Sequence, residues 1–396
     1  MKVNEVPYLL LFLISLGHAI VDLCGGVFPM LLPIFKNQFY LTYTVIGQIV
    51  LIFNLSSSLL QPLFGIVSDR IPCRWLMPFG CILAGGIVLT GVTQAYGLVL
   101  AGILLCGVGL AAYHPEGAKQ SFMISGKRQA AAQSIYAIGG NLGAGLGPIT
   151  ATFLLALSGL KGLLWLFVPV LMTTALIFYN LPSIRDLGRK RELDCQQTAV
   201  DINTETMAWG AIIILLLVVT MRSVIYNCVT TFVPLYFSGY HKGSQALAGL
   251  SLSGFLLAGV LGSAIAGPLA DRWGRKKVLL GCFLMVIPPL WLFPYTTGVM
   301  SVVMASLTGF ALIATAGITT VIALELIPGH IGLASGLVLG LTSGLSALGV
   351  LIFGALADVV GLIVVFKLVV VLSVVLLLLT LVLPEKSGSN IKYNLR

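Results

Sequence analysis

Charge is what this sequence has least of. Of 396 residues only 13 are acidic and 22 basic, so charged side chains make up 9% of the chain. A soluble domain carries about 25%, and a surface this poor in charge cannot lie mostly in water. No ATP-binding pattern is present, nor Gly-x-Ser-x-Gly, His-Glu-x-x-His or a paired-aspartate protease pattern. That removes the nucleophile-and-base sets of an intramembrane enzyme and leaves ion gradients as the driving force for any pump. The seven cysteines (Cys24, Cys73, Cys81, Cys106, Cys195, Cys228 and Cys282) are scattered, mostly in apolar runs, with no disulfide framework or metal-ligand spacing. No small-residue cleavage site follows the first apolar run, which is too long for a signal-peptide core and reads as a retained helix.

What is present is apolar length. Hydrophobic residues make up 58% of the chain, and its mean hydropathy is +1.05. Crossing a bilayer takes roughly 20 apolar residues in a helix. Cutting at Gly/Pro, Lys/Arg and polar clusters predicts twelve such stretches: 8–35, 44–67, 75–94, 97–124, 130–157, 162–181, 208–237, 245–270, 277–297, 299–326, 332–358 and 361–383. The expected organisation is an all-α membrane protein of two six-helix bundles, 1–182 and 208–385. A polar cytoplasmic linker, 183–207, joins them, and a cytoplasmic tail, 386–396, follows.

Placing the N-terminus inside puts seventeen Lys/Arg in inner loops and tails, against Lys36, Lys161, Lys242 and Lys367 outside. This bias predicts a multi-pass membrane protein with both termini cytoplasmic. The formal charge of +9 then reports topology and calls for no nucleic-acid partner. The remaining cation, Arg222, falls near the middle of the seventh stretch.

The two halves share a signature at a constant offset: Gly65-Ile66-Val67-Ser68-Asp69-Arg70 and Gly267-Pro268-Leu269-Ala270-Asp271-Arg272, the second continuing to Gly274-Arg275-Lys276-Lys277. At the same offset Gly107 matches Gly309 and Gly147 matches Gly349. Pro33 matches Pro234 after a one-residue slip. Parallel repeats of this kind, related by an axis along the membrane normal, are how secondary transporters build alternating access.

These features resemble the major facilitator superfamily over nearly the whole chain. Tyr113-His114-Pro115-Glu116, Gln133-Ser134-Ile135, Gly139-Gly140-Asn141, Arg222-Ser223, Phe232-Val233-Pro234-Leu235-Tyr236 and Glu325-Leu326-Ile327-Pro328-Gly329 are similar to its fosmidomycin-resistance branch of bacterial exporters. The first signature departs from the superfamily pattern, with Pro72 where Gly is usual. The resemblance implies the major facilitator fold and a conformational latch at Gly65, Asp69, Arg70, Gly267, Asp271, Arg272 and Arg275, with Glu325 as an acidic partner. In that reading Gly65 and Gly267 allow close helix packing and the aspartates meet the positive end of a neighbouring helix.

Ionisable groups deep in apolar helices are costly and mark function by default. His18 and Asp22 stand four apart on one helical face. His114 and Glu116 flank Pro115 on the fourth stretch. These four are the expected proton-coupling residues. Arg222, able to pair with Asp22, Glu116 or an anionic substrate, is the expected substrate-binding cation. Tyr136, Asn141, Tyr226 and Asn227 are expected to line the cavity. Gly143, Gly147 and Pro148 form a small-residue packing motif, one that also resembles the antiporter motif of the superfamily. The reading is a monomeric, proton-driven exporter of a small anionic or drug-like compound, its partners being substrate, protons and lipid, with no cofactor and no resident metal. Proton-coupled uptake, divalent-metal export through the two His/carboxylate pairs, and a non-transporting receptor stand as alternatives.

Overall fold

A computed structural model describes residues 7–70, 74–125, 128–195, 209–240, 244–326 and 342–383. Side chains at 69–70, 130, 185–195, 324–325 and 343 lie outside the description. Within it the chain is helical, with no strand. The helices are α1 (Tyr8–Gln38), α2 (Tyr43–Asn54), α3 (Leu60–Arg70), α4 (Leu76–Ala84), α5 (Tyr96–Ile124), α6 (Gln129–Ser158) and α7 (Phe167–Cys195) in the first half. In the second they are α8 (Trp209–Tyr240), α9 (Gln245–Trp273), α10 (Arg275–Leu292), α11 (Val299–Leu326), α12 (Thr342–Val360) and α13 (Leu362–Val382). A helix satisfies its own backbone donors, which lets so apolar a chain lie in hydrocarbon. Nine stretches are long and apolar enough to cross a membrane, and two shorter apolar ones join them. One of the nine, 131–184, is 54 residues long and doubles back at Gly159, whose φ is 59°. With that turn counted, the described residues hold all or part of twelve apolar helical stretches. Leu9, Phe153, Phe178 and Leu261 are among the large apolar side chains turned outward, as a lipid-facing surface requires.

Three predicted stretches differ in detail. The second is divided into α2, a π-helical turn at Leu55–Leu59, and α3. There Ser56 and Ser57 donate to the carbonyls of Phe53 and Asn54 at 2.9 and 3.3 Å, competing with the backbone ladder. In the third, Gly85-Gly86 opens a 3₁₀ segment, Gly85–Gly91. The sixth continues well past 181, because between Arg185 and Glu192 only Gly188 interrupts a run of residues that tolerate a helix. The first part of the predicted linker is therefore helix up to Cys195. The rest of the linker, the tail and the first ten positions of the eleventh stretch lie outside the described residues.

Glycines set the closest packing. α1 lies along α6, where a Cβ on Gly143 would fall 2.8 Å from Ala19 Cα and one on Gly147 2.6 Å from Gly26 Cα. The sequence repeat reappears as repeated contacts. Gly107 abuts the carbonyl of Phe53, and its repeat mate Gly309 abuts that of Phe255, which is in turn the repeat mate of Phe53. The halves meet in two such crossings. Gly47 of α2 faces the Val350 carbonyl of α12, and Gly249 of α9 faces the Pro148 carbonyl of α6; both members of each contact correspond under the same repeat. These crossings lie toward the end of the bundle that holds Gln38 and Tyr43, here termed distal. The end holding Tyr8 and Arg70 is proximal.

One distal contact has no repeat counterpart. Asp358, near the end of α12, accepts from Tyr43 N (2.7 Å), Thr44 N (2.8 Å) and Thr44 Oγ1 (2.6 Å), so a carboxylate of one half caps the positive end of α2 in the other. The repeat position, 156, is Ala. Beside this seam a cleft of ≈ 340 Å³ remains between Met30, Asn37, Pro234, Phe237 and Gln245. Its described lining holds no ionisable side chain.

Candidate functional site

Three ionisable residues converge inside the first half. Asp22 sits well inside α1, about 21 Å along the helix axis from its start at Tyr8. Its Oδ1 lies 2.8 Å from His114 Nε2 of α5, and its Oδ2 3.2 Å from His18 Nε2 one turn earlier on α1. The fit depends on Gly140 of α6, where a Cβ would come 2.6 Å from Asp22 Oδ2.

Partners on the far side of each ring fix the protons. His18 Nδ1 is 2.8 Å from the Tyr136 carbonyl, which can only accept, so Nδ1 carries hydrogen and Nε2 faces the carboxylate. His114 Nδ1 faces Gln61 Nε2 at 3.3 Å, an amide group that also donates to Ser57 O at 2.7 Å. Nδ1 of His114 is thus the acceptor, and its Nε2–H donates to Asp22 Oδ1. At the other oxygen, His18 Nε2 and Asp22 Oδ2 stand at hydrogen-bond distance with one proton to share. Aromatic packing holds the rings in place. His18 stacks on Tyr136 with centroids 4.0 Å apart and meets His114 edge-on at 5.0 Å.

Glu116 does not join this cluster. Two residues beyond His114 on a helix, it points away from α1 toward α3. It is buried, accepting from Ser68 Oγ and from Gln120 Nε2, the latter at 2.6 Å. Lys119 Nζ bonds Ser68 O at 2.7 Å, so the neighbourhood is a polar tie between α3 and α5. His114 and Glu116, paired in the sequence reading, serve different neighbours.

The second half contributes Arg222, near the middle of α8. It makes no ion pair with Asp22 or Glu116, whose oxygens are taken as described. Its Nη2 reaches Ser223 Oγ at 3.3 Å, and its Nε is buried with no hydrogen-bond partner among the described residues. Tyr226, one turn on, sets its ring against Phe255 of α9, with centroids 5.7 Å apart.

Other expected cavity residues are spent on structure. Tyr136 is buried, its hydroxyl donating to His114 O at 3.1 Å. Asn227 Nδ2 donates to Ser346 Oγ of α12 at 2.8 Å. Asn141 is exposed on the α6 face that, at Gly145 and Pro148, meets α9. In the duplicated signature, Gly267 has no described neighbour within 4 Å of a Cβ, and Gly65 only Pro115 Cβ at 3.8 Å. Among the described residues, close packing is therefore not what those glycines provide. Gly274, with φ 93°, is the one the turn needs. Asp271 and Arg272 are exposed, and Lys276 Nζ bonds Leu381 O at 2.8 Å. The side chains of Asp69, Arg70 and Glu325 lie outside the description.

Gln61, Ser68 and Asp358 were missed by sequence reasoning. Asp358 had one usable signal: on the predicted topology it is the only acid on the outer side.

The sequence matches the profile of the Major Facilitator Superfamily over residues 14–243 and again over 215–393. It is 32% identical to the fosmidomycin resistance protein of Escherichia coli (strain K12) over 382 residues, covering 94% of this chain and 92% of that one. It is 30% identical to the uncharacterized MFS-type transporter YfnC of Bacillus subtilis (strain 168), covering 91% and 89%. Among solved structures it is similar to the nucleoside transporter NupG (TM-score 0.70, 16% identity, covering 97% and 99%). A bacterial homologue of the lysosomal transporter Spinster is also similar (TM-score 0.73, 15% identity, covering 94% and 96%). At such identity these two speak to the fold alone.

Proposed function

The chain belongs to the major facilitator superfamily, a family of membrane transporters and not of enzymes, and from that premise we propose that it is a proton-coupled exporter of a small anionic compound. Arg222 carries this reading. A cation deep in an apolar bundle, with no carboxylate partner and an unbonded buried Nε among the described residues, is costly to keep unless a ligand anion completes it. The name of the Escherichia coli relative supports fosmidomycin and other small anions as first substrates to try.

In this reading the His18–Asp22–His114 cluster carries the coupling proton. Its oxygens already share one hydrogen with each imidazole, so proton arrival or loss rearranges bonds among three side chains instead of creating a bare charge in hydrocarbon. Glu116 responds through the α3–α5 tie, where it adjoins the duplicated signature. Alternation would open the distal seam and close the proximal side, where the Asp69/Arg70 and Asp271/Arg272/Arg275 turns act as the latch. The termini lie on the cytoplasmic side of a bacterial inner membrane, and the protein works as a monomer.

The second reading is proton-coupled uptake. In it an anion held by Arg222 draws a proton to the cluster, so that the two bind together; by linkage each strengthens the other. Reconstitution in liposomes with an imposed pH gradient separates the directions. Export is supported if the proton gradient drives fosmidomycin against its own flow, and uptake if the two move together. Asp22→Asn, Glu116→Gln and Arg222→Ala are compared in the same vesicles. Gradient-driven flux retained by all three overturns the assignment of coupling residues.

A further inference from the structure

We propose that His18, Asp22 and His114 form a binding site for a borderline divalent transition cation such as Zn²⁺ or Ni²⁺. The three offer one ligand atom each, all within 4.8 Å of one another, and all three residues are partly buried. A tetrahedral zinc site with bonds of about 2.0–2.1 Å sets neighbouring ligand atoms about 3.3 Å apart. Asp22 meets the two rings with different oxygens, Oδ1 at 2.8 Å from His114 Nε2 and Oδ2 at 3.2 Å from His18 Nε2, each near that edge length. A cation held by one of these oxygens needs the other imidazole to close in on that oxygen as well as on its partner ring.

The donor set selects the class of ion. Two imidazoles and one carboxylate suit zinc, nickel or copper, whereas magnesium and calcium prefer oxygen-only sites. The outer partners suit it as well. A metal-bound histidine usually donates its other N–H to a carbonyl, and His18 Nδ1 already does so to Tyr136 O. His114 must carry its hydrogen on Nδ1 to present a lone pair on Nε2. Gln61, which now faces that nitrogen with Nε2, must give up its bond to Ser57 O and turn its amide to accept instead. Side-chain exposures of 12–23% leave the cluster open on one side, room for a fourth ligand. All three ligands come from α1 and α5, so occupancy needs no particular arrangement of the two halves. The site stands on its own geometry and holds whether or not the cluster also carries the coupling proton.

The test is calorimetric titration of the purified full-length chain in detergent with zinc chloride, with magnesium chloride as the hard-cation control. Expected is one zinc site that magnesium does not occupy. His114→Gln, which can still bond Asp22 but ligates poorly, should weaken zinc binding at least about tenfold. His114→Cys, which keeps a ligand, should retain it, as should the double variant His241→Gln/His330→Gln, which removes the remaining histidines. Wild-type zinc affinity in His114→Gln, or loss of binding in the His241/His330 pair alone, overturns the proposal. Should His114→Gln melt early without metal, anomalous scattering from zinc-soaked wild-type crystals decides. A peak bonded to both imidazoles supports the site, and a peak only elsewhere refutes it. Because the readout is binding, a negative result leaves the transport assays untouched, and failed transport leaves this result untouched.

Discussion

Removing the carboxylate of Asp358 should unbalance the two end states of transport. In the structure it caps the first two backbone N–H groups of α2 from the opposite half and bonds Thr44 Oγ1 besides. Losing a cap of this kind costs about 0.5–2 kcal/mol. Asp358 is exposed, so screening puts the figure toward the lower part of that range, about 1 kcal/mol. The bonds exist only while the distal end is shut, so the whole amount falls on one side of the equilibrium. About 1 kcal/mol corresponds to roughly a fivefold rise in the ratio of distal-open to distal-closed molecules. Asp358→Asn, which keeps an acceptor but loses the charge, should give a smaller rise than Asp358→Ala. Spin labels at Tyr40 and Val299, both highly exposed at the distal end on opposite halves, would report it as a growing long-distance population. Identical distance distributions in wild type and Asp358→Ala would refute the reasoning. So would a larger effect from Asn than from Ala.

Arg222→Ala should raise the half-saturating concentration of an anionic substrate by about tenfold to a hundredfold, the value of a hydrogen bond to a charged group. A neutral substrate should be unaffected, and parallel dose–response curves test both. Gly143→Leu drives a side chain into the Ala19 backbone and should destabilise by about 1–3 kcal/mol, seen as a lower melting temperature in detergent; an unchanged melt contradicts the packing described. Ser68→Ala removes one donor from the buried carboxylate of Glu116 and should cost about 1–3 kcal/mol, and the added change Glu116→Gln should recover part of it. Tyr136→Phe loses only the bond to His114 O and should be mild, whereas Tyr136→Leu also loses the stack on His18 and should slow gradient-driven flux further.

Hydropathy made the twelve crossings readable, because a bilayer demands length and apolarity and little else. The repeat was readable because both halves carry glycines at matched contacts, as Gly107 and Gly309 do. What could not be read was which faces meet. His114 and Glu116 look like a pair because only Pro115 separates them. Yet two steps along a helix turn through more than half a circle, which sends one side chain to α1 and the other to α3. His114 and Asp22, far apart in the chain, are the true neighbours. Tyr136 looked like a cavity hydroxyl because its position on the α1 side of α6 depends on the Gly143–Gly147 contact. Asp358 was passed over because an acid at a helix end resembles a solvated one until a second helix is found above it.

The two matched glycine crossings also limit how this seam can vary. At position 47 main chain rests on main chain, with no side chain to shrink in compensation, so even one methyl acts as a wedge at that corner; at 249 a methyl meets the Thr152 side chain first and the Pro148 carbonyl behind it, so it wedges the other corner less. A wedge on one side would tilt the halves about the opposite crossing, as a door sags when a single hinge is shimmed. Equal wedges on both sides would lift them apart evenly. Single and double alanine replacements there thus amount to a mechanical experiment, distinguishing a molecule that rocks about a point from one that parts along a line.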